Sequence, residues 1–410
     1  MKATVSACHV KGRHKKRSDD SQSDRRQFLQ RTAGIGATIG LGGFAGCLNS
    51  SFGEGSSGSG SGSSGGSGAG GSNDSSGRGG QTNIVLGTSS EGSSSFRVGS
   101  TFAQYVTQNN LADTFTIEAV VTEGTSATYR RVADGDLLLG GTTTQLLGNS
   151  PDSGSLSETP LPNFDSIRQI RGYMSFYNFG VANRDAGIQN WQDLEGSPIA
   201  VSSAGSGTRA PVERIIDEEI GLSNVQPRYM AFADIPSALR GGRVDAAYTW
   251  ATNGTIPQGW FQEIDSTVNW TPLPISQQTQ SLLANELGFS SYVEIDGSAI
   301  SENVSQSIDA FSLTYLWNAR ADMLSPEVVH ELTRISYEHG EQLVEQDEVM
   351  GFFPNPEEFL GTLHPDVPIH AGAYQYYQEE GLWSDFSDSL TAPPEAERSG
   401  SNSTGGNGSV

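Results

Sequence analysis

Lysine and cysteine are nearly absent from this 410-residue sequence. Every lysine lies within the first 16 residues, and the two cysteines are Cys8 and Cys47. Without a later lysine there is no Walker A lysine, no Schiff-base lysine and no Ser-x-x-Lys nucleophile. The composition therefore excludes several large enzyme classes from the body of the chain.

Cations of any kind are scarce after the first 46 residues. Residues 47–410 carry 15 Arg and 44 acidic residues, a formal net charge of −29. Such a surface repels nucleic acid and anionic lipid headgroups, so we expect no nucleic-acid partner. We interpret the excess of acid as halophilic adaptation of the haloarchaeal kind.

Residues 1–46 have the pattern of an export signal. They hold nine Lys or Arg and three acids, then the apolar run AGIGATIGLGGFAG, which is too short to span a membrane. The segment DRRQFLQ resembles a twin-arginine motif, and FAGC resembles a lipobox ending at Cys47. We expect export by the twin-arginine route and a lipid on Cys47 that anchors the protein to the outer face of the cell membrane. Cys8 would leave with the signal, which excludes an intrachain disulfide.

Low-complexity segments flank the central part of the chain. Residues 47–81, rich in Gly and Ser, predict a flexible tether with a reach of about 30 Å. Residues 392–410, which have little apolar content, predict a disordered tail. Between them short apolar strands alternate with amphipathic helices, a pattern that predicts an α/β fold with a mostly parallel sheet.

The pattern of strands and helices occurs twice. The segment ADGDLLLGGTTTQ in the first part corresponds to LRGGRVDAAYTWATN in the second, each after a strand, a Gly/Ser loop and a helix. Three mainly helical stretches are predicted at 302–320, 326–347 and 370–380. Two similar lobes joined by extended crossovers describe a hinged binding protein, with lobe one at 82–178 and 290–391 and lobe two at 179–289.

Five segments, in order, resemble one family, the TAXI-type solute receptors of TRAP (tripartite ATP-independent periplasmic) transporters. They are IVLGTSSEGSSSFRVGSTFA, VVTEGTSATYRRVADGDLLLGGTTTQ, IQNWQDLEGSPIAVSSAGSGTR, GGRVDAAYTW and IHAGAYQYYQEEGLW. The resemblance covers about residues 82–385. It implies a two-lobe, periplasmic-binding-protein-like fold of the Venus-flytrap, type 2-like class, with a ligand cleft between the lobes.

The same resemblance implies a receptor and not an enzyme, with no cofactor and no metal. Such a receptor would capture a small carboxylate solute, a glutamate-like amino acid or an organic acid, and deliver it to TRAP membrane subunits for uptake driven by an ion gradient. Two segments depart from the family pattern: Phe96 stands where a Tyr is common, and GTTTQ replaces F-x-Q-x-D. Both departures fall on segments expected to touch the ligand.

Loops with backbone N–H groups, hydroxyls and helix N-termini suit a carboxylate. The candidate ligand-binding residues of lobe one are Thr88, Ser89, Ser90, Ser95, Phe96, Thr125, Ser126, Thr143, Gln145 and Tyr177. Those of lobe two are Ser203, Gly205, Ser206, Gly207, Thr208, Arg209, Trp250 and Asn253. In the competing interpretation the Gly and Ser residues cap helices, Arg209 lies on the surface and Tyr177 belongs to the core.

Other functions have weaker support in the sequence. GSGTRA fits a dinucleotide fingerprint, but the next strand lacks the acidic residue that an NAD-binding enzyme needs at its end. The four histidines after residue 46 have no metal-ligand spacing, and the chain has no G-x-S-x-G nucleophile motif. A binding protein of an ABC importer, a ligand sensor, and a cation held by Glu91 or Glu123 in the cleft remain open.

Overall fold

The computed structural model describes residues 80–148, 161, 163–285 and 290–398. The predicted export signal, Cys47, nearly all of the tether and residues 399–410 lie outside the described residues. Among the described residues no helix is both long and apolar enough to cross a membrane.

Eleven strands of the described chain form one sheet. The strands are β1 (Thr82–Gly87), β2 (Phe115–Val120), β3 (Leu139–Thr143), β4 (Ile167–Asn183), β5 (Pro198–Ser202), β6 (Gln226–Tyr229), β7 (Ala246–Thr252), β8 (Ile256–Pro257), β9 (Trp270–Leu273), β10 (Ser290–Asp296) and β11 (Ser307–Arg320).

Helices cover this sheet and form most of the C-terminal region. The helices up to residue 300 are α1 (Ser94–Gln108), α2 (Thr125–Asp134), α3 (Thr144–Gly148), α4 (Arg209–Glu219), α5 (Ile235–Arg240), α6 (Gly259–Thr267), α7 (Gln277–Asn285) and α8 (Gly297–Ile300). The later ones are α9 (Pro326–Glu338), α10 (Gly340–Gln346), α11 (Pro356–Phe359), α12 (Ala371–Glu379), α13 (Trp383–Phe386) and α14 (Glu395–Arg398). Short 3-10 turns lie at Phe164–Ser166, Arg184–Ala186, Trp191–Leu194, Leu222–Asn224, Phe232–Asp234 and Glu348–Met350.

The strand order shows two similar halves. It runs β2-β1-β3-β11 and then β4-β7-β5-β6. Strand β1 lies between its parallel neighbours β2 and β3, and β5 lies between its parallel neighbours β6 and β7. Strands β3 and β7 each pair with a long antiparallel strand that crosses between the halves, β11 and β4 respectively. Strands β3 and β7 therefore occupy equivalent places, as the correspondence between their sequences predicts. The α/β fold with two similar lobes is confirmed.

The sheet is mixed, which corrects the expectation of a mostly parallel one. Among the described strands four pairings are parallel and six are antiparallel. Five of the antiparallel pairings involve the crossover strands β4 and β11, and the sixth joins β7 to the short strand β8. A strand that returns from one half to the other must run against its neighbours, so the connection between the lobes dictates this mixture.

Strand β11 overturns the prediction of a mainly helical stretch at 302–320. Its segment SIDAFSLTYLWNAR is extended and lies between β3 and β4. Most of its side chains are buried, and Phe311, Leu313 and Tyr315 alternate with Ser312 and Thr314, which is the period of a strand. The helical stretches predicted at 326–347 and 370–380 are confirmed by α9, α10 and α12.

The helices begin where the sequence provides caps. Ser93 accepts a hydrogen bond from the backbone N–H of Phe96 at the start of α1, and Ser325 caps α9 in the same way. The buried faces of these helices meet the sheet in aromatic clusters, where the ring centroids of Phe102 and Trp317 lie 5.0 Å apart. Helix packing against the crossover strands thus holds the first half of the sheet together.

Order extends further toward the C-terminus than the predicted boundary at residue 392. Helix α14 ends at Arg398, and Glu397 forms an ion pair with Arg168 of β4, whose Nε donates to Oε2 at 3.0 Å. The side chain of Arg168 is largely buried, so this pair attaches the segment to a crossover strand. The stretch 392–398 is part of the folded body.

Candidate functional site

The candidate site lies where the parallel strands of both halves end. Strands β1 and β3 end at Gly87 and Thr143 in the first half, and β5 and β7 end at Ser202 and Thr252 in the second. Helices α1, α2, α3 and α4 begin in the segments that follow β1, β2, β3 and β5. The carboxyl ends of parallel strands share one edge of a sheet, and helix N-termini there leave backbone N–H groups without partners. Each half therefore presents hydrogen-bond donors at this edge.

The two edges are in contact through a buried polar cluster. The hydroxyls of Ser94 on α1 and Thr252 on β7 hydrogen-bond at 2.7 Å. The side chain of Gln258 completes the cluster, since its Oε1 accepts from Ser94 at 3.1 Å and its Nε2 donates to Thr252 at 2.9 Å. All three residues are buried. The structure therefore shows the two halves closed on each other at the predicted cleft.

A backbone contact joins the halves at a second place. The N–H of Ser126, at the start of α2, donates to the carbonyl oxygen of Gly205 at 3.2 Å. A Cβ atom at Gly205 would overlap the carbonyl oxygen of Glu123, and one at Gly207 would lie 3.0 Å from the Thr143 methyl group. The sequence predicts close backbone approach at both glycines, and here the approaching group belongs to the opposite half of the molecule.

In the loop after β1 and the start of α1, some hydroxyls have a hydrogen-bond partner and one has none. Thr88 is buried and donates to the carbonyl of Val120 at 2.8 Å, while the Ser95 hydroxyl bonds the Tyr173 hydroxyl at 2.7 Å. The Ser90 hydroxyl is buried and has no hydrogen-bond partner among the described residues. Of the predicted contacts in this loop, Ser90 therefore has the hydroxyl most in need of a ligand.

The loop after β5 is folded on itself. The hydroxyls of Ser206 and Thr208 hydrogen-bond at 2.8 Å, and the Thr208 N–H donates to the Ser206 hydroxyl at 3.2 Å. These bonds lie within the loop before α4, whose N-cap residue Thr208 makes no side-chain capping hydrogen bond. The hydroxyl of Ser203 is buried and is not paired with any described residue. Ser203 is thus the counterpart of Ser90 in the second half.

The remaining predicted residues of the first half lie around the starts of α2 and α3. Thr143 accepts a hydrogen bond from the N–H of Leu146, so it caps α3. Gln145 is buried, and its Oε1 is unpaired within the described part of the chain. Phe96 and Ser126 are half-buried at this edge, and Ser89 is buried.

Aromatic side chains of the crossover strands lie beside these polar groups. Phe176 of β4 stacks on Trp250 with a centroid distance of 4.6 Å and meets Tyr315 of β11 at 4.4 Å. Burial raises the pKa of Tyr315 well above its ordinary value, the nearby Tyr173 raises it further, and a hydrogen bond with Thr125 opposes this rise. Tyr315 is therefore a neutral phenol in contact with a candidate residue.

Several of these residues were missed by the sequence interpretation. Thr252 and Gln258, which hydrogen-bond to Ser94 of the other half, were not predicted, and neither were Phe176 and Tyr315 of the aromatic surface. Tyr315 falls in the stretch expected to be helical, which concealed it. The available signal was position, because Thr252 ends the strand that corresponds to β3.

Three predicted residues have side chains that are engaged elsewhere. The Nε of Arg209 donates to Glu213 at 2.9 Å, and its guanidinium lies 4.5 Å from the centroid of the Tyr229 ring, with 38% of the side chain exposed. Asn253 has φ of 53°, accepts from the Ser175 N–H and donates to the Val349 carbonyl, both at 3.1 Å. Tyr177 lies on the opposite face of β4 from Phe176, since neighbouring side chains of a strand alternate.

The family assignment rests on the central part of the chain. A model of the NMT1-like family matches residues 86–381, well over half of the sequence. The chain belongs to the NMT1-like family. The match includes both halves of the sheet and all the candidate ligand-binding residues of this NMT1-like protein.

Solved structures to which the NMT1-like protein is similar share little of its sequence. Protein AF1704 from Archaeoglobus fulgidus is 16% identical, with a TM-score of 0.40, and the match covers 73% of this chain and 98% of that chain. The alkanesulfonate-binding protein SsuA from Xanthomonas axonopodis pv. citri bound to MOPS is 12% identical, with a TM-score of 0.38 and coverages of 76% and 95%. An ABC uptake transporter substrate-binding protein from Streptococcus pneumoniae with bound histidine is 11% identical, with a TM-score of 0.38 and coverages of 64% and 91%.

The site of the NMT1-like protein is built from neutral donors. The groups placed at the closed edges are hydroxyls, amides, backbone N–H groups and aromatic rings. Within the described ranges no group of three or more His, Cys, Asp or Glu side chains is arranged to hold a metal ion. Negative charge on a small ligand would be offset by helix N-termini and hydroxyl donors.

Proposed function

We propose that this NMT1-like protein is an extracytoplasmic solute receptor whose two lobes close over a small carboxylate solute. The observation that supports the proposal is the meeting of two equivalent strand edges, each with a buried, unpaired hydroxyl in the loop that follows its first strand, Ser90 and Ser203. A buried hydroxyl without a partner costs free energy unless a ligand satisfies it. The lobes would be residues 82–178 with 290–391 and residues 179–289, and the receptor itself would carry out no chemistry.

The proposed partners follow from the sequence resemblance to TAXI-type receptors. The protein would be exported by the twin-arginine route, anchored through a lipid on Cys47, and would deliver its solute to TRAP membrane subunits. The second candidate is delivery to an ABC importer, the class named for the Streptococcus pneumoniae protein. A gene for a fused TRAP membrane subunit beside this one would support the first, and genes for an ATPase and a permease would support the second.

Binding is tested by a thermal-shift screen in molar salt. Dicarboxylates, glutamate-like amino acids and 2-oxo acids are compared, since a ligand at 100 times its dissociation constant adds about 2.7 kcal/mol to stability. For the solute that raises the melting temperature, we expect Ser203→Ala to weaken binding roughly tenfold or more, because a hydrogen bond to a charged group is worth about 1.5–3 kcal/mol.

The matched control is Ser266→Ala, an exposed hydroxyl on α6 that donates to the carbonyl of Glu263. We expect this variant to bind like the wild type in isothermal titration. A screen in which no carboxylate shifts the melting temperature, or equal affinities for Ser203→Ala and the control, would contradict the proposal.

A further inference from the structure

A cavity lies on the crossover strands themselves. It has a volume of about 320 Å³ and is lined by β4, β10 and β11, by Asn253 after β7, and by the segment from Gly351 to Thr362. This volume is at the lower end of the range for small-molecule sites. We call it the hinge pocket, because its lining includes both crossover strands.

The hinge pocket lies on the opposite face of the crossover strands from the aromatic surface of the candidate site. Across β4 and β11, Tyr177 pairs with Ser312 and Ser175 with Thr314, and these four side chains line the hinge pocket. Phe176 alternates with Ser175 and Tyr177 along β4, so it faces the other way. The two sites are therefore separated by the thickness of the sheet.

The lining has one acidic side chain, Glu358, and no basic one. Burial and then the neighbouring Glu357 raise the pKa of the Glu358 carboxyl, and burial and then Glu358 raise the pKa of Tyr177. Ser175 and Thr314 are buried, and no described residue hydrogen-bonds their hydroxyls or the carboxylate of Glu358. The pocket thus offers one carboxyl group and several oxygen acceptors.

We propose that the hinge pocket binds a small organic molecule with a primary ammonium group, whose charge pairs with Glu358. The three N–H donors of such a group suit the hydroxyl oxygens of Ser175, Thr314 and Tyr177. The aromatic rings of Tyr177 and Phe352 in the lining provide surfaces that favour a cation and its alkyl chain. A carboxylate ligand would be repelled by Glu358, so this site differs in chemistry from the one proposed between the lobes.

Asn253 connects the hinge pocket to the polar cluster between the two halves. This residue directly follows Thr252 of the polar cluster, and its side chain joins the Ser175 N–H of β4 to the Val349 carbonyl, two residues before Gly351 of the lining. An amine in the pocket would therefore stabilise the closed arrangement, and by linkage it would increase the affinity of the cleft for its solute. This coupling rests on the proposed receptor function, whereas binding in the hinge pocket does not.

The test uses 1,4-diaminobutane as the probe, titrated calorimetrically into the full-length protein in molar salt at neutral pH. The neutral 1,4-butanediol has nearly the same shape and is the control ligand. We expect the diamine to bind and the diol not to bind. The variant Glu358→Gln should lose at least tenfold in diamine affinity, while Glu357→Gln, which changes the adjacent exposed carboxylate, should keep it.

Equal diamine affinity in the Glu358→Gln and Glu357→Gln proteins, or equal binding of diol and diamine, would overturn the proposal. Near-ultraviolet circular dichroism confirms that each variant is folded before titration. The variant Ser203→Ala separates the two proposals, because it should weaken the solute and leave the diamine unaffected. Loss of diamine binding in Ser203→Ala would place the amine in the cleft and would also overturn the hinge pocket.

Discussion

At the scale of single residues, the buried charge of Arg171 stabilises the fold and does not belong to the candidate site. Arg171 is fully buried, but it is a structural cation: its guanidinium donates to the Phe353 carbonyl at 3.1 Å and lies between the rings of Phe353 and Phe359. Burial lowers its pKa to about 10, so it stays charged at neutral pH. Apart from Arg209, the predicted ligand-binding residues are instead neutral, so under the proposed function solute specificity would depend on hydrogen-bond geometry.

The variant Arg209→Ala distinguishes two interpretations of the Gly/Ser loop. The sequence predicts that Arg209 grips the solute, whereas in the structure it pairs with Glu213 and Tyr229 on the surface. We expect solute affinity to change less than about twofold, since exposed pairs contribute little. Isothermal titration measures this, and a tenfold loss would show that Arg209 reaches the ligand.

At the scale of secondary structure elements, helix α12 depends on an unusual cap. His370 is buried, its Nδ1 accepts from the Gly372 N–H at 3.3 Å, and its Nε2 donates to the Leu324 carbonyl at 3.2 Å. The bond accepted by Nδ1 requires the neutral ring, because a protonated imidazole has no acceptor, whereas the bond donated by Nε2 is compatible with either form. Burial lowers the pKa of His370 to about 4.

Because the pKa of His370 is lowered in the folded protein, the free energy of unfolding depends on pH. The His370 side chain binds a proton near pH 6.5 in the unfolded chain and near pH 4 in the folded chain. Its contribution to the free energy of unfolding is therefore complete above pH 6.5 and is lost as the pH drops toward 4. The loss attributable to His370 is about 3 kcal/mol.

The variant His370→Asn keeps a capping side chain without a titrating ring. Denaturant unfolding at pH 7 and pH 4.5 should therefore show a smaller pH effect in the variant than in the wild type. Burial also lowers the pKa of His364, so some dependence should remain. An unchanged pH effect would show that His370 is protonated in the folded state.

Most elements of the fold could be predicted from the sequence, because strands and Gly/Ser loops alternate with amphipathic helices. An exception is β11, which was expected to be helical. Its buried residues Phe311, Leu313 and Tyr315 alternate with Ser312 and Thr314, a period of two that indicates a strand and that the helical interpretation overlooked. Once β11 is extended, the sheet must be mixed.

At the scale of the whole molecule, the two halves meet through small groups. The loops and strand ends of the candidate site were predictable from the sequence, because each follows an apolar strand. Which residues touch across the cleft was not predictable, since the contact between Ser94 and Thr252 joins positions 158 residues apart. This contact depends on how the two halves are placed relative to each other, which a local sequence pattern does not determine.

Closure can be tested at Gly205. A methyl group there would overlap the carbonyl oxygen of Glu123, so we expect Gly205→Ala to hinder closure and weaken solute binding at least tenfold. The matched control is Gly259→Ala, because a Cβ atom at Gly259 has no other atom within 4 Å. Small-angle scattering with saturating solute should show a larger radius of gyration for Gly205→Ala alone, and equal radii for the two variants would contradict the role of this contact.

The hydrogen bond from the Ser126 N–H to the Gly205 carbonyl uses only main-chain atoms. Side chains around it can be exchanged without removing either of its partners, provided that positions 124 and 205 stay glycine, because a Cβ atom at Gly124 would overlap the Gly205 carbonyl oxygen. Residues that determine solute preference can therefore change during evolution while this main-chain contact between the lobes is kept.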